Sequence, residues 1–283
     1  MKTKALLFII TCFALLTLFS GCKKDKDKPT ITMKTESNNV TIYMAGNGTI
    51  NIDWGDGSEI EIFTLSAVDE YGNWPDKNYS HNYTVASVHT ITITEEKLTH
   101  LQCNNNQLIT LDVSGCSTLT NLFCSDNQLT NLNVSNCIAL TSLYCYNNQL
   151  IDLNVSNCKL LTYFDCSKNQ INNLDINNYK AITYLQCSIN EITNLDVKNC
   201  IALTGLYCNN NQLMSLDVSD CIDLIWLGCG ANRLTSTELN VLFGTLRGNP
   251  IEQNKTIYID DNPGTDDCDR TIATNKGWRF FDN

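Results

Sequence analysis

The side chains in this chain best equipped for chemistry are aromatic. Phe123, Tyr144, Tyr163, Tyr184, Tyr207 and Trp226 recur at spacings of 19 to 23 residues, with Tyr146 beside Tyr144. Asn104, Asn105, Asn147, Asn209 and Asn210 border them. Such groups act by contact: tyrosine and tryptophan give rigid, amphipathic area at low entropic cost. An exposed run of them rimmed by amides marks a binding surface. Bond-making chemistry lacks its residues. There are three histidines, His81, His89 and His100, and no Gly-x-Ser-x-Gly, His-Glu-x-x-His or glycine-rich phosphate loop. Asp260, Asp261, Asp266, Asp267 and Asp269 lack the Asp-x-Asp-x-Asp-Gly spacing of a calcium loop. Acids at a helix start already complement its dipole. No enzyme, metal or cofactor is expected.

The elements that must position these rings are set by a period. Asn106, Asn127, Asn148, Asn169, Asn190, Asn211 and Asn232 stand 21 residues apart, in the frame Leu-x-x-Leu-x-Cys-x-x-Asn-x-Leu. Copies start at Leu98, Leu119, Leu140, Leu161, Ile182, Leu203 and Leu224, and Phe164 once replaces the second leucine. Self-similarity at this period specifies a leucine-rich repeat solenoid, whose coils bury their apolar face only by stacking. Each Leu-x-Cys segment is expected as a short parallel strand on the concave side. Strands stack about 4.8 Å apart, so the copies span on the order of 30 Å. The seven asparagines are expected as a structural ladder that pairs backbone groups otherwise buried unpaired. The outward strand slots hold the aromatic residues above, making Phe123, Tyr144, Tyr146, Tyr163, Tyr184, Tyr207 and Trp226 the candidate ligand-binding set. Asp126 and Asp165 lie roughly 10 Å apart by strand spacing, a gap an inverting glycosidase could use, but no other residue supports that reaction.

Of 15 cysteines, seven (Cys103, Cys124, Cys145, Cys166, Cys187, Cys208, Cys229) fill one repeat column. Cys116, Cys137, Cys158, Cys200 and Cys221 fill a second, where Tyr179 takes the missing place. Position favours buried free thiols acting as small apolar residues. Cross-coil disulfides are the alternative. Zinc lacks a Cys-x-x-Cys pair and a partner histidine.

Ahead of the repeats, Lys2 and Lys4 precede an apolar run from Ala5 to Phe19, too short to span a membrane. Residues 1–21 are expected as a lipoprotein signal peptide. Leu18-Phe19-Ser20-Gly21-Cys22 resembles the lipobox of bacterial lipoproteins, which implies lipidation of Cys22. Residues 22–29, with Lys23-Lys24-Asp25-Lys26-Asp27-Lys28, read as a charged tether. This tether resembles those of outward-facing surface lipoproteins of gut-dwelling Gram-negative anaerobes, implying an outer-membrane anchor. Net charge is −11, and −13 once Lys2 and Lys4 leave with the leader, which disfavours nucleic acid.

Residues 30–95 carry β-rich runs at 30–35, 40–44, 49–54, 59–65, 79–83 and 88–94, separated by turn residues, as in a small sandwich. Asp53-Trp54-Gly55-Asp56-Gly57, then Tyr79-Ser80-His81-Asn82-Tyr83, then the final alternating strand resemble the PKD-type bacterial surface module. Asp53, Asp56 and His81 suggest a site, but Gly55 and Gly57 supply turn geometry and Asp56 can bond its own turn. After the repeats (96–234), residues 235–283 read as a short α/β cap. Ser236 N-caps a helix over 237–247, followed by a strand over 256–259, a helix over 266–275 and the segment 278–281.

The repeats are similar to those of bacterial cell-surface leucine-rich repeat proteins, internalin-like adhesins and repeat-bearing lipoproteins among them. That resemblance implies a mainly β, non-catalytic, cell-surface recognition or adhesion protein with a protein partner on its aromatic concave face. A glycan-binding accessory lipoprotein and a purely structural envelope protein remain the alternatives.

Overall fold

The computed structural model describes residues 28–248 and 254–281. The expected leader, the expected lipidation site Cys22 and most of the expected tether lie outside the described residues.

The chain is mainly β, a β-solenoid closed by short helices. Six strands precede the repeats: β1 (Thr30–Thr35), β2 (Asn39–Asn47), β3 (Thr49–Asp53), β4 (Glu61–Thr64), β5 (Asn78–Asn82) and β6 (His89–Thr94). Strict alternation makes β1, β3 and β6. In β1 the buried residues are Ile31, Met33 and Thr35, and in β6 they are His89, Ile91 and Ile93.

The repeats supply β7 (Lys97–Gln102), β8 (Leu108–Asp112), β9 (Asn121–Phe123), β10 (Asn131–Asn133), β11 (Ser142–Tyr144) and β12 (Tyr163–Asp165). They continue with β13 (Leu174–Asp175), β14 (Tyr184–Gln186), β15 (Leu195–Asp196), β16 (Gly205–Tyr207) and β17 (Trp226–Gly228). In each three-residue concave strand the central residue (Leu122, Leu143, Phe164, Leu185, Leu206, Leu227) is buried. The parallel pairs match like with like, Leu143 standing opposite Phe164 and Leu122. The concave sheet has 11 strands, in the order β19-β18-β17-β16-β14-β12-β11-β9-β7-β2-β5.

That order carries two findings beyond the repeats. At the N-terminal end β2 pairs antiparallel with β7, setting Met44 opposite Leu101, while β1 pairs antiparallel with β8, setting Met33 opposite Leu111. Both walls of the N-terminal β region therefore run on into the walls of the solenoid, and one hydrophobic cluster extends from Ile31 to Trp278. A bare first coil would leave a row of unpaired backbone groups, and these strands cover it. At the other end β18 (Lys255–Tyr258) and β19 (Trp278–Phe280) continue the sheet in parallel register. Between them lies α2 (Thr271–Thr274), and before β18 lies α1 (Ser236–Thr245). Thr235, one residue earlier than Ser236, is the N-cap, its hydroxyl accepting from Glu238 N–H. The acidic stretch expected as helix from Asp266 is turn up to Thr271, where Asp269 Oδ1 accepts from Thr271 N at 3.0 Å.

The ladder asparagines are buried, apart from the half-buried Asn127, and bond on both sides. Asn148 Nδ2 donates to Cys124 O, Cys145 O and Tyr146 O at 3.1, 3.1 and 3.3 Å, and its Oδ1 accepts from Leu129 N at 2.9 Å. Asn106 has no coil before it and uses β2, donating to Thr41 O and accepting from Thr41 N, both at 2.8 Å. An eighth rung exists. Asn262 Nδ2 donates to Cys229 O at 3.0 Å and its Oδ1 accepts from Leu234 N at 3.1 Å. It stands 30 residues after Asn232, because α1 lengthens that coil beyond the 21-residue period. The solenoid thus has about eight turns against the seven the period alone shows.

The described cysteines of both columns are buried, and none forms a disulfide. Burial pushes the Cys103 thiol up to about 12. Second-column thiols donate to the carbonyl 24 residues earlier, Cys137 to Val113 O at 3.2 Å and Cys200 to Ile176 O at 3.4 Å. Tyr179 does the same duty with oxygen, its hydroxyl donating to Val155 O at 2.5 Å.

Candidate recognition face

The period places one residue on each side of every buried strand leucine on the concave surface. In the slot after the leucine stand Phe123, Tyr144 and Tyr207; in the slot before it stand Tyr163, Tyr184 and Trp226. The structure joins five of these into one stack. Centroid distances are 4.7 Å from Phe123 to Tyr144, 4.6 Å to Tyr163 and 4.4 Å to Tyr184, with planes within 17°. Tyr207 follows at 5.3 Å and a 41° tilt. The stack changes slots between β11 and β12 and changes back between β14 and β16. Its partners are therefore diagonal at those steps, since Tyr144 lies directly opposite Asp165 and Gln186 opposite Tyr207.

Each interior ring has both faces against a neighbour, so its edge and hydroxyl are what the groove meets. Burial raises the phenols of Tyr144, Tyr163, Tyr184 and Tyr207 above the ordinary tyrosine value. They are neutral donors at any physiological pH. Trp74 closes the N-terminal end of the stack, meeting Phe123 edge-on at 5.7 Å and His100 at 5.2 Å. It comes from the 67–77 linker, where no period points to it.

Two predicted residues fall outside the stack. Tyr146 lies to one side, its phenol raised by burial and then by the charge of Asp126 beside it. Trp226 is 45% exposed and, among the described residues, stacks on no other ring.

One carboxylate sits within the aromatic surface. Asp165 fills the slot the stack leaves on β12, its Oδ1 accepting from Ser167 N at 3.0 Å and Ser167 Oγ at 2.6 Å. Burial raises its pKa, against the Ser167 hydrogen bonds. Asp126 Oδ1 instead accepts from Asn147 Nδ2 at 2.7 Å. Asp165 thus serves its own turn and Asp126 ties to the next coil, and a general acid–base pair is not assembled.

The N-terminal constellation is a folded turn. Asp53 Oδ1 accepts from Gly55 N and Asp56 Oδ1 from Ser58 N. His81 lies 2.7 Å from Asp56 Oδ2, and hydrogen bonds from Ser58 and then His81 hold that carboxyl well below the usual range. Trp54 stacks on His81 at 5.0 Å, and Tyr83 donates to Trp54 O at 2.8 Å. Ser87 and His89 also meet, at 3.0 Å, but His89 Nε2 is shared with Val85 O at 3.1 Å, which makes it a donor and unfit to deprotonate the serine. Among the described residues, no group of three metal-ligating side chains converges.

No protein-family model matches the chain, and no curated protein matches it. Among solved structures it is similar to the functional domain of InlJ from Listeria monocytogenes, described as including a cysteine ladder. That match has 34% identity and a TM-score of 0.54, covering 65% of this chain and 38% of the other. A leucine-rich effector protein of Yersinia pestis, YopM, matches at 25% identity and a TM-score of 0.41, over 58% of this chain and 49% of that one. The chain thus spans less than half the length of either solved chain.

Proposed function

We propose that this chain is a non-catalytic recognition protein that seats a protein partner on the concave sheet. The observation that supports it is the half-exposed stack from Phe123 to Tyr207, rimmed by Asn104, Asn147, Asn209 and Asn210 and holding Asp165 within it. Stacked rings give a surface that loses little entropy on contact, and aromatic anchors dominate protein interfaces. Asp165, partly withdrawn from water beside phenol rings, favours a partner that brings a lysine or arginine to it.

In this reading the N-terminal β region, residues 30–95, serves as cap and spacer. Cys22 carries the lipid, the lysine-aspartate tether follows it, and the face is displayed outward from the outer membrane. The cap from residue 235 onward closes the far end.

The test uses the soluble protein beginning at Pro29, immobilised and offered detergent-solubilised surface proteins from neighbouring bacterial and host cells. The captured protein is identified and its affinity measured against the Tyr144→Ala/Tyr184→Ala double variant. A loss of at least about tenfold is expected. Unchanged affinity, with the variant folded by circular dichroism, would refute the concave face as the contact surface.

A further inference from the structure

One aromatic column of the concave sheet is interrupted on two successive rungs. In the slot after the strand leucine, Tyr144 is followed by Asp165, Gln186 and then Tyr207, each directly opposite the next. Strands stack about 4.8 Å apart, so the two tyrosines sit on strands roughly 14 Å apart and frame a polar window. Beside the window the stack continues in the other slot as Tyr163 and Tyr184. Both polar residues are anchored alike. Asp165 Oδ1 accepts from Ser167 N and Oγ at 3.0 and 2.6 Å, and Gln186 Oε1 accepts from Ser188 N and Oγ at 3.3 and 2.7 Å. Each side chain is thereby fixed through one oxygen. The second head atoms, Asp165 Oδ2 and Gln186 Nε2, bond to no described residue and reach the groove surface.

A single charge governs this window. On the concave strands β9, β11, β12, β14, β16 and β17, Asp165 is the one ionised side chain in an outward slot. Lys168, in the turn that follows, is exposed and is the smallest of the influences on the carboxyl, which burial raises in spite of it. The same negative charge acts on the phenols of Tyr144, Tyr146, Tyr163 and Tyr184. A carboxylate so poorly compensated gains from a cation that brings hydrogen bonds.

Three features select the cation. The faces of Tyr144, Tyr163 and Tyr184 are taken by neighbouring rings, so the window is no aromatic cage for a quaternary ammonium. Asp165 offers one oxygen, the other already holding two bonds, which excludes the bidentate pairing a guanidinium favours. The Gln186 amide on the next rung presents donors of its own, against the wide fork of an arginine. A primary ammonium needs only point acceptors, which Asp165 Oδ2 and the phenol oxygens supply, and its four-carbon stem lies along ring edges. Gln186 Nε2 is then left for a peptide carbonyl of the same segment.

We infer that the Asp165–Gln186 window is a subsite for one lysine side chain of a partner segment lying in the groove. The ammonium sits on Asp165 Oδ2 and an adjoining peptide carbonyl on Gln186 Nε2. The inference rests on reading the concave sheet as a protein-recognition face, and it names the side chain that face selects. Asp165 is the specificity-determining residue, and the tyrosine edges are its walls.

The experiment follows the Ser167 backbone N–H signal of the folded protein by proton–nitrogen NMR, since that group donates to Asp165. The probes are the Nα-acetyl N-methylamides of lysine, Nε-trimethyl-lysine, arginine and norleucine. A saturable shift with the lysine compound is expected, about threefold or more tighter than with arginine or trimethyl-lysine, and none with norleucine. Asp165→Asn keeps Oδ1 for Ser167 and turns the outward acceptor into a donor. With the fold intact by circular dichroism, its affinity for the lysine compound should be lower by about tenfold or more. No saturation by lysine, equally tight binding of arginine or trimethyl-lysine, or undiminished binding in folded Asp165→Asn overturns the subsite. Protein capture that depends on Tyr144 and Tyr184 can still succeed in each of those cases, and the window then fails alone. Capture that ignores those two rings, beside lysine binding that needs Asp165, would refute the wider contact surface and keep the subsite.

Discussion

Each coil turns twice, and both turns are held by the same kind of side chain. After the concave strand, Asn148 reaches three carbonyls and one amide N–H across two coils. On the opposite side Asn154 Oδ1 accepts once, from Ser156 N at 3.0 Å, in its own turn. The second pattern also recurs every 21 residues, with Asp112 to Ser114, Asn133 to Ser135, Asp196 to Lys198 and Asp217 to Ser219. One asparagine is buried and the other exposed. Water can replace the bond of Asn154 but none of those of Asn148. Burial, more than hydrogen-bond chemistry, therefore decides which positions the fold holds fixed and which it leaves free.

The contrast can be broken most directly at Asn148. Asn148→Ala strands Leu129 N–H in the interior, while Cys124 O, Cys145 O and Tyr146 O each keep one donor, from Asn127, Asn169 and Asp126 N, and it should cost about 1–3 kcal/mol in urea unfolding. A cost no greater than that of Asn154→Ala would end the argument. Next comes Tyr179→Phe, which leaves Val155 O only the Cys158 N–H at 2.7 Å while keeping the ring that Lys159 covers at 4.0 Å; about 0.5–1.5 kcal/mol should be lost.

A gain is expected at Ile189. The residue before each ladder asparagine takes a left-handed backbone, at φ 57° for Asn105, 54° for Asn147 and 58° for Ile189. Asparagine tolerates that conformation and a β-branched residue does not. Since the Ile189 side chain is 48% exposed, Ile189→Asn should raise stability by about 1 kcal/mol, read as a higher melting temperature.

Glu95 sharpens the comparison from another side, as a buried polar group left incomplete. Its Oε2 accepts from Leu98 N at 2.7 Å, but Oε1 has no hydrogen-bond partner. Burial raises its pKa. The folded protein therefore takes up this proton first. The stability Glu95 contributes is full below its unfolded value of about 4.3 and is lost as pH rises through the folded one. Urea midpoints measured from about pH 4 to 8 should fall more steeply in the parent protein than in Glu95→Gln, where Asp165 still contributes a slope of the same sign. Smallest of all, Asn154→Ala should shift stability by less than about 0.5 kcal/mol.

Much of this fold is legible in the sequence because each repeat does one job at one spacing. The leucine, cysteine and ladder-asparagine columns all follow from the 21-residue period. What escapes it is what breaks the period. Asn262 is a rung displaced by α1, Tyr258 sits on β18 and Phe281 directly follows β19, both beyond the last 21-residue copy. The Thr-Ile-Tyr-Ile run at 256–259, aligned on the strand frame, contains the signal that places Tyr258. For Trp74 there is none, because a ring in a linker finds its partner only in three dimensions. The same limit applies to the stack. Slot spacing puts the rings on one face, but side-chain torsions decide that their faces meet each other and that Trp226 stands apart.

The reach of the ladder asparagines has a consequence for how such a chain changes over generations. Because Asn148 and Asn169 each bind the coil before and accept from it in the same way, adding a further 21 codons in frame between them would renew every bond at both seams. The N-terminal strands and the terminal helix would not register the difference. Unequal crossing-over within such a gene can therefore lengthen or shorten the groove by one rung at a time, leaving stability nearly untouched while altering how much of a partner it can span.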